Sequence, residues 1–177
     1  MNRPQTVLAR FDLAEYRLCR GLNRAVSQRA LRAIFQVASR LGDGVFWYAM
    51  LAALPLAFGA SAIRPVIVMA VTGLVATALY KLIKHTFVRE RPFIRHAGIT
   101  LAMPPLDRYS FPSGHTLHAV CFSWQAIAHF PGLAWLLVPM TTLIAASRVV
   151  LGLHYPSDVL AGAVLGAVLA HFGLALG

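Results

Sequence analysis

The sequence predicts an all-α integral membrane bundle of five to six transmembrane helices, preceded by an amphipathic N-terminal segment. Three observations predict it. Apolar residues make up 58% of the chain and charged residues 12%, with mean hydropathy +0.66, whereas a soluble domain carries roughly 25% charge. Five uncharged apolar runs follow residue 44. Before them, apolar side chains recur at the three- and four-residue intervals of a helix face.

In residues 1–44, Val7, Leu8, Phe11, Ala14, Leu18 and Leu22 form one face, with Arg10, Glu15, Arg17 and Arg20 mainly on the other. A second helix is expected after Ser27 as N-cap, carrying Leu31, Ile34, Phe35, Ala38 and Leu41 and closed by Asp43-Gly44. A basic amphipathic pair of this kind suits the membrane interface; the alternative is a pair of surface helices packed on the bundle. No continuous apolar stretch near the start predicts a cleaved signal peptide.

The apolar runs span 45–60, 66–80, 116–130, 133–146 and 159–176. Trp47 and Tyr48 stand where aromatic anchors sit, and Pro139 interrupts the fourth run. The first run is short for a span, and a sixth crossing arises only if part of 22–42 enters the bilayer. Arg24, Arg29, Arg32 and Arg40 make that costly. The last run holds Gly162-x-x-x-Gly166, read as close packing within the chain rather than dimerisation. Residues 45–177 therefore form the membrane unit, residues 1–44 the amphipathic one, and together a single domain. Cys19 and Cys121 suggest buried free thiols. The net charge of +10 points to anionic lipid or phosphate rather than nucleic acid, because the chain is mostly apolar spans.

Three polar clusters interrupt this scaffold: Lys84 with Arg91-Pro92; Pro112-Ser113-Gly114-His115; and Ser147-Arg148 continuing through His154 to Asp158. If each run crosses once, all three emerge on one membrane face. Their chemistry suits phosphoryl transfer from a lipid. Lys84, Arg91 and Arg148 supply fixed cations for charge that spreads over the phosphoryl oxygens. Ser113 offers a hydroxyl, and Gly114 lets a backbone N–H approach at the start of a helix. His154 and Asp158 stand four apart, a spacing at which the carboxylate can fix the imidazole tautomer. His115 is left as the acid for the departing oxygen. Only Asp158 and Glu90 lie near these clusters as acids, which makes no Mg²⁺ site; metal-free, cofactor-free catalysis through phosphohistidine is favoured. Taken singly, each cluster has a plainer reading, as a turn, a headgroup anchor or a packing histidine. Residues 89–111, with Pro104-Pro105 and Asp107-Arg108-Tyr109, are read as a lid or rim, and Arg89 as a headgroup contact.

The three clusters, in that order and spacing, resemble the three-part signature of the type 2 phosphatidic acid phosphatase family over residues from about 45 to 176. The resemblance implies a helical bundle and metal-independent hydrolysis of lipid phosphates. It implies His154 as nucleophile and His115 as general acid, with Asp158 supporting His154. Lys84, Arg91, Ser113, Gly114 and Arg148 would bind phosphate. Undecaprenyl pyrophosphate is the first substrate considered, with phosphatidate, phosphatidylglycerophosphate and lipid A phosphates as alternatives. The bacterial members it resembles imply a multi-pass cell inner membrane protein with its site facing the periplasm. Eight arginines in the first 44 residues pull the same face towards the cytoplasm by the positive-inside rule. A non-catalytic lipid-phosphate binder or transporter and a soluble haloperoxidase are the rival classes. Oligomeric state is left open.

Overall fold

The computed structural model describes residues 7–176; residues 1–6 and Gly177, at the ends of the two expected segments, lie outside the described residues, as do the side chains of Val7 and Leu8. The described chain is helical: α1 (Val7–Asn23), α2 (Arg29–Leu41), α3 (Val45–Phe58), α4 (Ile63–Thr86), the single turn α5 (Pro92–Arg95), α6 (Gly114–His129), α7 (Ala134–Val150) and α8 (Pro156–Leu176).

Among the described residues, three stretches are long and apolar enough to cross a membrane: Val45–Thr86, Pro131–Val150 and Pro156–Leu176. The first has 42 residues. As one rod it would be about 63 Å long, twice the roughly 30 Å of bilayer hydrocarbon. It folds back instead at Gly59, whose φ of +70 ends α3 in a conformation that side-chain-bearing residues rarely adopt. The start of α3 and the end of α4 consequently line the same cavity. Helix α6, with 16 residues, is shorter than the three stretches.

At the centre stands α6, packed on α4, α7 and α8. Its approach to α8 depends on Gly162 and Gly166, where a Cβ would run into the carbonyl oxygens of Ser113 and Leu117. The small-residue motif thus serves packing within the chain, as its sequence suggests. Trp47, Leu54, Met69, Phe122, Leu137 and Ile144 fill the main core, with Trp47 stacked on Phe122 at 5.5 Å between centroids. Hydroxyl pairs such as Ser123–Thr141, at 2.7 Å, tie α6 to α7. Leu56, Leu74, Trp135, Leu160 and Val164 point outward, the inverse of a soluble bundle and the surface that lipid requires. Cys19 and Cys121 are buried free thiols.

The N-terminal helices dock by their polar stripe. Glu15, Cys19 and Asn23, four residues apart, are buried, while Phe11, Leu18 and Leu22 stay exposed. Asn23 donates to the carbonyls of Thr100 and Val150 and accepts from the Thr100 N–H at 2.8 Å. Helix α2 buries Ala38 and Ser39 and leaves Ile34, Val37 and Leu41 outward. The segment packs on the bundle, as the second of the two expectations has it, with apolar side chains left exposed on the outer side. The expected N-cap does not form. Residues 24–27 coil into a 3-10 turn, Ser27 Oγ donates back to the Arg24 carbonyl, and Gln28 takes the cap position without a side-chain bond.

Candidate active site

His154 lies in the short connection between α7 and α8. Backbone bonds set it there: the N–H groups of Leu153 and His154 both donate to the Arg148 carbonyl at 3.0 Å, curling the chain over the end of α7. Gly152 makes the reversal with φ +78, and a Cβ there would lie 2.8 Å from the Thr100 carbonyl oxygen. Helix α8 then opens with Pro156, whose fixed φ suits a first helical position. Asp158, fully buried in its first turn, accepts the Tyr155 N–H at 2.8 Å through Oδ2 and Arg89 Nη1 at 2.6 Å through Oδ1. Its backbone carbonyl accepts the Ser113 N–H, which clips the second cluster to the third.

Between the two partners of the predicted pair, His154 Nδ1 stands 3.7 Å from Asp158 Oδ2. That is beyond a hydrogen bond but within reach of a small rotation. The opposite nitrogen, Nε2, lies 3.2 Å from Arg91 Nη1. The ring is thus oriented with Nδ1 towards the carboxylate and Nε2 towards the cations. Burial, then the charges of Arg148, Arg91 and Lys84, hold its pKa well below the usual histidine range. The imidazole is neutral at pH 7, the state in which nitrogen carries a free lone pair.

The cations converge from three segments. Arg91 donates through Nη1 to the Leu153 carbonyl and through Nε to the Asp107 carbonyl. Its Nη2 reaches Asp107 Oδ1 at 2.7 Å, while Lys84 Nζ reaches Oδ2 of the same carboxylate at 2.5 Å. Burial alone would raise the Asp107 pKa, but Lys84 and Arg91 outweigh it and keep the carboxylate below its ordinary value. Arg148, nearly fully buried, donates to Ser39 Oγ, and its Nε has no partner among the described residues. His115, on the first turn of α6, has its Nε2 against Asp43 Oδ1.

Six of the eight residues expected at the site line one cavity of about 790 Å³: Lys84, Arg91, Gly114, His115, Arg148 and His154. The other two stand behind its wall. Asp158 backs His154, and Ser113 is fully buried with its Oγ 3.0 Å from Thr116 Oγ1. The same cavity continues between α3 and α4 along Trp47, Leu51, Ala70, Leu74 and Phe122, so a cationic end adjoins an apolar one.

Sequence reasoning missed four side chains here. Asp43 and Ser39, seen only as parts of an amphipathic segment, touch His115 and Arg148. Asp107, placed on a rim, bridges two cations. Arg89, read as a headgroup contact, pairs instead with Asp158 and with Glu15, the latter at 2.5 Å. One signal was available. The chain has only six acidic residues, each costly beside lipid, and Glu15, Asp43, Asp107 and Asp158 all pair with basic groups.

The family model of the PAP2 superfamily matches residues 61–176. An undecaprenyl-diphosphatase of Bacillus subtilis is 32% identical over 106 residues, which is 60% of this chain and 54% of that protein. The crystal structure of Aquifex aeolicus LpxE superposes with a TM-score of 0.77 at 26% identity, covering 90% of this chain and 93% of that one. The crystal structure of a transmembrane PAP2-type phosphatidylglycerolphosphate phosphatase from Bacillus subtilis gives 0.73 at 23%, covering 90% and 84%. The chain spans about half the length of the curated relatives it matches. Apolar helices and these neighbours together make it a multi-pass membrane protein.

Proposed function

This chain belongs to the PAP2 superfamily, and from that premise we propose that it is a membrane phosphatase that hydrolyses a lipid phosphate or diphosphate without a metal, through phosphohistidine. One observation carries the reading: Lys84, Arg91, Arg148, His115 and His154, from three distant segments, face a single cavity whose other end is apolar. Cations held this close repel one another unless an anion joins them. A phosphoryl group at the start of α6 would be that anion, with the helix N-terminus at Gly114 adding a favourable dipole. The lipid chain would follow the groove between α3 and α4.

In this reading the Nε2 lone pair of His154 attacks phosphorus while Asp158, behind the ring, stabilises the cation that forms. The P–O bond to the lipid breaks and the departing oxygen takes a proton from His115. Water then attacks phosphorus, gives its proton to His115, and the P–N bond breaks to release phosphate. Lys84, Arg91 and Arg148 hold the phosphoryl oxygens throughout. Ser113 serves this site through backbone and packing, since its hydroxyl is turned to Thr116.

We read α3, α4, α6, α7 and α8 as single crossings that bring the site to one bilayer surface, with α1 and α2 lying in the interface beside it. Residues 45–177 then form the phosphatase unit and residues 1–44 its interfacial collar. The bacterial members it resembles place such a site on the periplasmic side of a cell inner membrane. The name of the Bacillus relative supports undecaprenyl diphosphate as the first substrate to try, ahead of phosphatidate, phosphatidylglycerophosphate and lipid A phosphates.

Phosphate release from these lipids by the purified chain in detergent and EDTA tests the reading. The wild type is expected to release phosphate, and His154→Ala and His115→Ala to release none from the lipid esters. A wild type that binds the lipids without releasing phosphate would make the protein a binder rather than an enzyme.

A further inference from the structure

We propose that Asp43 is a positioning residue for His115, fixing the imidazole and its proton for the departing oxygen. The inference rests on the functional reading above, in which His115 is the acid; that reading gives Asp43 no part.

The contact is long-range and built. Asp43 lies 72 positions from His115 and places Oδ1 against its Nε2. It is carried by the turn between α2 and α3, where Gly44 has φ +109 and Gly42 is buried. A Cβ at Gly42 would stand 2.9 Å from His115 Cδ2 and 3.0 Å from Ile144 Cγ2. The turn thus approaches the imidazole more closely than a larger residue allows. One helical turn earlier, Ser39 bonds Arg148, so the end of α2 grips two groups of the site.

The chemistry needs such a partner. When His154 Nε2 attacks phosphorus and the P–O bond breaks, the electron pair leaves on the lipid oxygen. That oxygen needs the proton His115 holds. A protonated imidazole beside Arg148 is disfavoured by like charge. An adjacent carboxylate offsets that repulsion. Donation of Nε2–H to Asp43 also fixes the tautomer, leaving Nδ1 as the nitrogen that gives and regains the transferable proton. Asp43 itself touches no reacting atom.

The test exploits leaving groups. Phosphatidate expels an alkoxide, which needs the proton; p-nitrophenyl phosphate expels a stable phenolate, which does not. The quantity measured is kcat/KM, which reports phosphoryl transfer to His154, for wild type, Asp43→Asn, Asp43→Glu and His154→Ala of the full chain in detergent. Asp43→Asn is expected to lose about 100-fold on phosphatidate but under about fivefold on p-nitrophenyl phosphate, and Asp43→Glu to regain part of the lipid activity. Equal losses on both esters, as misfolding or a purely structural role would give, or no loss on phosphatidate, would overturn the inference while an inactive His154→Ala leaves the functional reading standing. A wild type inactive on both esters, or a fully active His154→Ala, would bring down that reading and this inference together.

Discussion

The two imidazoles of the site are each set against a carboxylate, but the two pairs are built differently. His154 and Asp158 are four residues apart, joined through the opening turn of α8 and sealed from solvent. His115 and Asp43 are 72 apart, and the Asp43 side chain is 27% exposed. The first pair travels with its local backbone, the turn that joins α7 to α8. The second exists only when the N-terminal helices dock on the bundle. The turn that follows α2 is therefore also a wall of the cavity, through Gly42, Asp43 and Gly44.

Breaking the local pair should have the larger effect. Asp158→Asn is expected to lower kcat about 100-fold, and by the same factor for lipid and nitrophenyl esters, because nucleophilic attack is common to both. Rates on the two esters check this; a loss confined to the lipid ester would mean that Asp158 acts through the leaving group instead. Next comes Glu15→Gln, which removes one of the two carboxylates on Arg89 and leaves a single acceptor oxygen where two serve the guanidinium and the Ser157 N–H. Loss of about 1–3 kcal/mol of stability is expected for a buried donor left without its acceptor, with a smaller fall in rate. Thermal unfolding in detergent and steady-state kinetics measure the two.

The pH profile separates the imidazoles without mutation. His154 is held well below the usual histidine range by burial and neighbouring cations, so it stays neutral, and nucleophilic, as pH falls. The acid limb of kcat/KM should therefore lie well under the ordinary histidine value of about 6.5, and a limb at or above that value would contradict the assignment. The smallest effect is expected at Asp107, whose carboxylate sits on Lys84 and Arg91 where phosphoryl oxygens are proposed to bind. Asp107→Asn removes a competitor worth about 1 kcal/mol at a partly exposed site, so inhibition by inorganic phosphate should tighten roughly fivefold. Weaker inhibition would show that Asp107 organises the cations rather than competing for them.

Much of the helical order was legible. Apolar runs and the pair Gly162 and Gly166 encode the long helices and the close packing of α8 by local rules of polarity and size, whereas the reversal at Gly59 was not singled out. The third cluster was legible for the same reason, since Arg148, His154 and Asp158 lie within one turn-and-helix unit. What stayed hidden depends on docking. Nothing near Asp43 in the chain announces His115, and nothing near Ser39 announces Arg148. Periodicity found the two stripes of α1 but left open which of them faces the protein. In water an apolar face packs inward, but beside lipid it is free to face out, and Glu15 and Asn23 turn inward for hydrogen bonds worth more in a dry interface. Ser113 is a different case: its hydroxyl, expected at phosphate, lies 3.0 Å from Thr116 Oγ1, a contact within its own cluster that the sequence reading did not include.

The central claim is that His154 Nε2 takes the phosphoryl group. It is tested most directly by mixing the purified protein with a lipid substrate carrying labelled phosphate, quenching within the first turnover, and mapping protein-bound label. The account predicts an acid-labile, alkali-stable phosphoryl group on His154, formed in EDTA and absent from His154→Ala. Label on another residue, or hydrolysis proceeding in His154→Ala at the wild-type rate, would contradict it.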